Sequence, residues 1–205
     1  MAMDSFNHVP PYGVVRQWLG AAWVKQLLYY ALANEPLFEE SGVGHGENWK
    51  IDYALRRSKV LRKLDHFPNV LREQIQELLP TIFNRLGSAP FVPCKFEFEL
   101  VAHGDGAVFS RHVDTFKQNE GPGTHRIISA VYYFHALPKP FGGGELRLHS
   151  LAGNAQPGTF VDIEPECDMI LFFPSWFPHE VLPVTCPSGR FLDSRFTINC
   201  WIHRN

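Results

Sequence analysis

The sequence predicts a mainly β fold: a jelly roll or barrel of short strands, with N-terminal helices packed against one sheet. Three observations point there. Residues 1–90 repeat apolar positions at helical spacing, and residues 91–205 break into short runs rich in β-branched and aromatic residues. No helical stretch separates those runs, which argues against an alternating strand–helix–strand layout.

In the N-terminal part, Trp23, Leu27, Tyr30 and Ala31 recur at helical spacing, as do Leu71, Ile75, Leu78, Leu79, Ile82 and Leu86. Each set places an apolar stripe along one helix face. Gly87 supplies a stop for the second helix, and Pro80 is expected to kink or divide it. Between the helices, Glu39–Lys50 is polar and glycine-rich and reads as a mobile loop. Strands are expected at Lys95–Ala102, Ala107–His112, Arg126–His135, Glu145–His149, Thr159–Ile163, Met169–Phe173, Glu180–Val184 and Arg195–His203. The run Gly142-Gly143-Gly144 lacks the Gly-Lys-Ser/Thr of a phosphate loop and reads as a tight turn into a strand. Residues 1–205 thus read as one domain, with helical support over 1–90 and a β core over 91–205.

Composition narrows the function. The 205 residues carry 19 Lys and Arg against 21 Asp and Glu, a formal net charge of -2. That balance speaks against a broad electrostatic grip on nucleic acid or anionic lipid. No apolar run approaches the roughly 20 residues that cross a bilayer. The opening MAMDSFNHVP lacks the basic start and apolar core of a secretory signal, so the expected compartment is the cytoplasm. Cys94, Cys167, Cys186 and Cys200 form no Cys-x-x-Cys pair and are expected to be reduced and mostly buried.

Three short patterns carry chemistry. In Arg111-His112-Val113-Asp114, a strand would point His112 and Asp114 to one face, where both can bind a single metal. Standing alone, the pair is a weak signal and reads more readily as a surface turn. His179, in Phe177-Pro178-His179-Glu180-Val181, lies between two apolar runs at the mouth expected for a β barrel. Two histidines and a carboxylate on one face of a metal leave positions open opposite, an arrangement that favours non-haem iron(II) oxygenases. The bland reading of His179 is a satisfied core or loop histidine. In Arg195-Phe196-Thr197-Ile198-Asn199-Cys200-Trp201, strict alternation puts Arg195, Thr197, Asn199 and Trp201 on one face. A guanidinium turned into a barrel needs an anion, and a carboxylate suits its planar fork. On an edge strand the same arginine would face water.

Taken with these patterns, the ordered blocks Arg126-Ile127-Ile128-Ser129-Ala130-Val131-Tyr132-Tyr133, Gly143-Gly144-Glu145-Leu146-Arg147, Asp162-Ile163-Glu164-Pro165, Leu171-Phe172-Phe173-Pro174-Ser175 and His179-Glu180-Val181 make the chain recognisable. Over residues 96–203 it resembles the prolyl-4-hydroxylase-like branch of the 2-oxoglutarate and Fe(II)-dependent dioxygenases. The resemblance implies a double-stranded β-helix core and a metal held by His112, Asp114 and His179. It also implies 2-oxoglutarate gripped by Arg195, with Tyr133 and Thr197 as minor donors. Fe(II), 2-oxoglutarate and O2 would be used, with ascorbate as reductant, and succinate and CO2 released. The carboxylate at Asp114 argues for hydroxylation, because related halogenases carry a small residue there.

The chain departs from the family pattern in two places expected near the mouth. A tyrosine that some relatives place before the His-x-Asp pair is missing, with His103 or Gly104 nearby. The segment from His179 to Arg195 is longer, with Cys186-Pro187-Ser188-Gly189 inserted. The expected substrate is a prolyl residue in a peptide or protein. The alternative is a free amino acid or other small molecule, with Arg111 or Arg147 as its charged partner. A nucleic-acid demethylase of the superfamily would carry a second arginine where Trp201 stands, and Trp201 reads as packing. A non-catalytic jelly-roll binding module is the remaining reading.

Overall fold

The computed structural model describes residues 8–44, 49–115, 125–151 and 159–205. Strand β1 (Gly13–Arg16) leads into helix α1 (Ala21–Ala33). The short strands β2 (Glu39–Glu40), β3 (Arg56–Arg57) and β4 (Lys59–Leu61) precede helix α2 (Phe67–Leu86). Next come β5 (Lys95–His103), β6 (Val108–His112), β7 (His125–Phe134), β8 (Gly142–Gly143), β9 (Leu146–His149) and β10 (Phe160–Ile163). The chain finishes with β11 (Met169–Pro174), β12 (His179–Val181), β13 (Val184–Thr185) and β14 (Arg195–Arg204).

Most of these strands join two antiparallel sheets. The larger has seven strands in the order β1-β11-β7-β14-β5-β4-β2, and the smaller has five in the order β10-β9-β12-β6-β3. Strand β13 pairs separately with β8. Alternation along the central strands decides what each face of the large sheet meets. From β14, Phe196, Ile198, Cys200 and Ile202 point to the helices, as do Ile128, Ala130, Tyr132 and Phe134 from β7. They bury against Val24, Leu27 and Ala31 of α1 and Leu71, Ile75, Ile82 and Phe83 of α2. Each large apolar side chain so buried contributes about 1.5–3 kcal/mol. The opposite face supplies Val131, Tyr133, Met169, Leu171 and Phe173, which pack on Leu146, Leu148 and Ile163 of the smaller sheet.

The helical reading of residues 1–90 needs correction. Four short strands share that stretch with the two helices: β1 extends the large sheet beside β11, β4 and β2 extend its other edge beyond β5, and β3 edges the smaller sheet beside β6. Strands of two to four residues hold too few alternations to show a period, and their partners are distant in sequence. The expected loop Glu39–Lys50 begins as β2 and carries a bridge between Val43 and Lys50, while residues 45–48 lie outside the described residues. Helix α2 runs unbroken through Pro80 and ends on Gly87 at φ +61. Pro80 and Gln76, four residues earlier, are both solvent-exposed, so water can satisfy the carbonyl that proline leaves unpaired.

The expected strand Glu180–Val184 is two strands in different sheets, separated by Leu182 and Pro183. All four cysteines are free; Cys186 and Cys200 are buried, Cys167 is intermediate and Cys94 is exposed. Among the described residues, no helix is long and apolar enough to cross a membrane.

One side chain ties the N-terminal segment to the sheet. Asp168, at φ +61, accepts hydrogen bonds from the Leu19 and Gly20 backbone N–H groups and from the Tyr132 hydroxyl, each at 2.9 Å. Replacing it leaves three buried or half-buried donors without an acceptor. Asp168→Ala should lower unfolding stability by about 2–4 kcal/mol, read from urea denaturation. A loss below roughly 0.5 kcal/mol, the range of a neutral surface change, would rule out this staple.

Candidate metal centre and anion clamp

His112 is the last residue of β6 and His179 the first of β12, and the two are register partners. Asp114 lies just past the end of β6, where its backbone N–H donates to the Ser175 carbonyl at 2.9 Å. The shared face therefore comes from a strand end and a turn, not from one continuous strand. His112 Nε2 lies 3.8 Å from Asp114 Oδ1, and His179 Nε2 lies 3.5 Å from Asp114 Oδ2. One ligand atom from each of the three residues falls within 4.8 Å of the others, a spacing that suits one metal ion.

The neighbours of this cluster prepare it for a cation. His112 Nδ1 donates to the Ser110 carbonyl at 2.8 Å, and His179 Nδ1 donates to the Phe177 carbonyl at 3.0 Å. Both bonds fix the tautomer that leaves Nε2 as a lone-pair donor facing Asp114. Burial, joined by His179, pushes His112 down to about 3, so its imidazole stays neutral, the form that can bind a metal. Burial works to raise the Asp114 pKa, but His179, His112, Ser129 and Trp201 outweigh it and hold the carboxylate ionised. The Ser129 hydroxyl donates to Asp114 Oδ2 at 2.5 Å and so orients it. The Phe109 ring stacks on His112 at 3.5 Å, and Phe173 meets His179 edge-on at 4.8 Å.

Arg195, the first residue of β14, is only 1% exposed. Its Nη1 donates to His103 Nδ1 at 3.2 Å. Burial, with Arg195 as the second cause, pushes His103 well below its usual pKa, so the imidazole is a neutral acceptor. Arg195 Nε and Nη2, Tyr133 Oη and Thr197 Oγ1 are all buried without a hydrogen-bond partner. Burial raises the Tyr133 hydroxyl to about 12, so it stays protonated and able to donate. Four buried donors left unmatched would be costly unless an acceptor joins them.

The free Nε/Nη2 edge of Arg195 is the edge that grips carboxylates elsewhere in this molecule. Arg16 holds Glu166 with it at 2.7 and 2.8 Å, and Arg147 holds Asp162 at 2.7 and 2.8 Å. Gly144, at φ +74, lets the backbone pass close to the arginine stem, since a Cβ there would stand 2.7 Å from Arg195 Cδ. The buried donor set thus fits a carboxylate, and the His/Asp/His set fits a divalent metal. Both open onto one cavity of about 700 Å³, lined also by Val131, Leu146 and Val181.

Of the six residues singled out in the sequence, His112, Asp114, His179, Arg195 and Thr197 line this space, and Tyr133 lies buried beside Arg195, its ring centre 4.9 Å from the guanidinium. Other expectations shift. Trp201 lines the cavity with the Arg126 guanidinium 4.0 Å from its ring centre, so it is more than packing. Arg147 is engaged by Asp162 outside the cavity lining. His103 sits beside Arg195, and the Cys186–Gly189 segment packs against Asp105 and Asp193, with Gly189 on a separate cavity of about 300 Å³. Sequence reading missed His103 as the partner of Arg195 and Ser129 as the partner of Asp114. The pairing of β5 with β14, which sets His103 opposite Arg195, is the one feature that could have revealed the first.

Comparison with known proteins agrees with this geometry. Residues 98–203 match the profile of the 2OG-Fe(II) oxygenase superfamily. An uncharacterized PKHD-type hydroxylase of Synechocystis sp. is 33% identical over 199 residues, covering 94% of this chain but 63% of that protein, so the chain spans under two thirds of that relative. In fold, a Pseudomonas putida prolyl-4-hydroxylase superposes with a TM-score of 0.68 at 22% identity, covering 96% of this chain and 94% of that one. A Trichoplax adhaerens prolyl hydroxylase, solved with a peptide fragment of the hypoxia inducible factor oxygen degradation domain, gives 0.66 at 20% identity over 94% and 83% of the two chains. The chain belongs to the 2OG-Fe(II) oxygenase superfamily, with the fold of its prolyl hydroxylases, and its cofactor and cosubstrate are Fe(II) and 2-oxoglutarate.

Proposed function

We propose that this chain is a dioxygenase that hydroxylates an unactivated C–H bond of a prolyl residue in a peptide or protein, releasing succinate and CO2. Residues 1–205 act as one domain around a double-stranded β-helix core, with ascorbate as the reductant. The observation that carries the reading is the juxtaposition, in one cavity, of the His112/Asp114/His179 set and the unmatched Nε/Nη2 edge of Arg195. His112, Asp114 and His179 would hold the iron, and Arg195 would take the distal carboxylate of 2-oxoglutarate with Tyr133 and Thr197. When bound, iron and cosubstrate supply the oxidising power that activates O2 for insertion into a C–H bond.

The protein supplies placement. Nδ1 bonds to the Ser110 and Phe177 carbonyls keep both imidazoles facing the metal position. Ser129 fixes the Asp114 carboxylate, and His103 ties down one nitrogen of Arg195. The apolar walls from Val131, Leu146 and Val181 keep water from the reacting centre. Towards solvent the cavity opens past Trp49, Leu55 and Val113, which are 49, 42 and 43% exposed, an apolar rim suited to a flexible peptide. The peptide-bound Trichoplax neighbour supports the same substrate class by fold.

Three outcomes test this reading. His112→Ala, Asp114→Ala and His179→Ala should each weaken iron binding by more than the 10–100-fold typical of losing a supporting residue, measured as bound iron and succinate formed. A His179 variant that keeps its iron and full turnover would remove it from the set.

Arg195→Leu should weaken 2-oxoglutarate binding roughly tenfold or more, since a charge-assisted bond is worth about 1.5–3 kcal/mol, with iron binding unchanged. His103→Leu should cost a few-fold, and His103→Asn, which keeps an acceptor near Nδ1, should recover most of it. Equal cosubstrate affinity in the wild type and Arg195→Leu would assign the clamp elsewhere.

Finally, a proline-containing peptide library should gain one oxygen on proline under O2, read by mass, while free amino acids stay inert. Robust oxidation of free small molecules with every peptide inert would replace the peptide reading.

A further inference from the structure

The cavity holds a cation that neither the metal centre nor the clamp uses. Arg56, in the edge strand β3, lines the same space as His112 and Asp114. Its guanidinium lies 4.6 Å from the centre of the Phe109 ring, which also stacks on His112. Every carboxylate facing this part of the cavity is already engaged. Glu97 takes Arg126 at 2.6 Å and His203 at 3.1 Å, Glu99 takes Arg62 at 3.3 Å, and Asp114 belongs to the metal set. Among the described residues Arg56 has no carboxylate within 4.0 Å. Its own hydrogen bonds are long: Nε to Ser58 Oγ at 3.3 Å and Nη1 to the Gly42 carbonyl at 3.4 Å, with none from Nη2.

Arg56 is half-buried, and a guanidinium partly withdrawn from water with no carboxylate in contact is unfavourable. Burial is the largest influence on its ionisation, lowering its pKa against the more distant pull of Glu99 and Asp114. Outside the clamp formed by Arg195, the other cavity arginines do not share this state: Arg62 and Arg126 are ion-paired, and Arg111 is solvent-exposed. The partner missing from Arg56 is a carboxylate, the anion that a planar fork holds best.

We infer that Arg56 is the substrate's anion site, and that the substrate presents a carboxylate one or two residues from the carbon that is oxidised. The span follows from the shared Phe109 ring, which sets Arg56 beside the metal ligands, and from an extended chain's advance of about 3.3–3.6 Å per residue. The carboxylate is either an acidic side chain next to the target or a free α-carboxylate at the chain end. This inference rests on the proposed dioxygenase site and adds the chemistry of what enters it.

The test uses the whole chain loaded with Fe(II) and 2-oxoglutarate under argon, with direct binding measured by calorimetry. The probes are matched acids and amides: N-acetyl-proline against N-acetyl-prolinamide, and N-acetyl-Pro-Asp-amide against N-acetyl-Pro-Asn-amide. The first pair reads an α-carboxylate and the second a side chain. In the wild type at least one acid should bind about tenfold tighter than its amide. In Arg56→Gln that ratio should fall to within about twofold, while iron and 2-oxoglutarate affinities stay as they are. Equal binding of acids and amides in the wild type, no measurable binding of any acid, or a preference that survives Arg56→Gln would overturn the site. Loss of iron in Arg56→Gln would also overturn it, because the arginine would then be a brace for Phe109 and His112. N-acetyl-alanine binding as well as N-acetyl-proline would end the prolyl reading and leave the anion site standing.

Discussion

The two-residue period of β14 is the constraint on which the rest depends. One face of this strand must be apolar because α1 and α2 cover it, so Phe196, Ile198, Cys200 and Ile202 are committed to the helices. The residues between them then have no choice of direction. Arg195, Thr197, Asn199 and Trp201 all face the cavity. A slip of one residue would bury four polar or amphipathic groups under the helices and empty the site. Stability of the helix-facing core and orientation of the chemical groups are therefore one decision. Strand β7 repeats the logic, with Ile128, Ala130, Tyr132 and Phe134 outward and Ser129, Val131 and Tyr133 inward.

That geometry gathers charge into a small space, and the pairing of those charges sorts them by role. Arg62 and Arg126 are neutralised by Glu99 and Glu97, and they shape the wall. Asp114 is kept below the usual carboxylate pKa by its His179, His112 and Ser129 neighbours against the opposing effect of burial, a state that suits it to a cation. Arg195 and Arg56 are left without carboxylates on different walls of one cavity. Arg195 is locked by His103 and by the close approach of Gly144, whereas Arg56 is held only by long bonds and the Phe109 ring. The rigid one suits a cosubstrate common to the superfamily. The looser one suits a substrate that differs from one member to another.

Much of this was legible beforehand, for reasons that differ residue by residue. The helices declared themselves because 13 and 20 residues give several turns of apolar repetition. The long strands β5, β7 and β14 declared themselves by alternation, and the candidate ligands by the order of the blocks around them. Strands β1 to β4 did not, since two to four residues carry no period and pair across the chain. Asp114 does lie beside His112, though not on one continuous strand face as the spacing suggested. It follows a strand end and is set by backbone bonding to Ser175, which no local spacing encodes.

By itself, the sequence determined the mainly β class, the two helices and the chemistry of the six groups that the fold brings close together. These follow from periodicity and residue chemistry, which are local properties of the chain. Only the tertiary structure decided which groups are partnered. His103 opposite Arg195, Ser129 beneath Asp114, and Arg56 over Phe109 without a counter-ion all depend on strands far apart in sequence. Whether a charge is satisfied is a property of its surroundings in space, so the sequence could name the cations but not say which one was left waiting for a ligand.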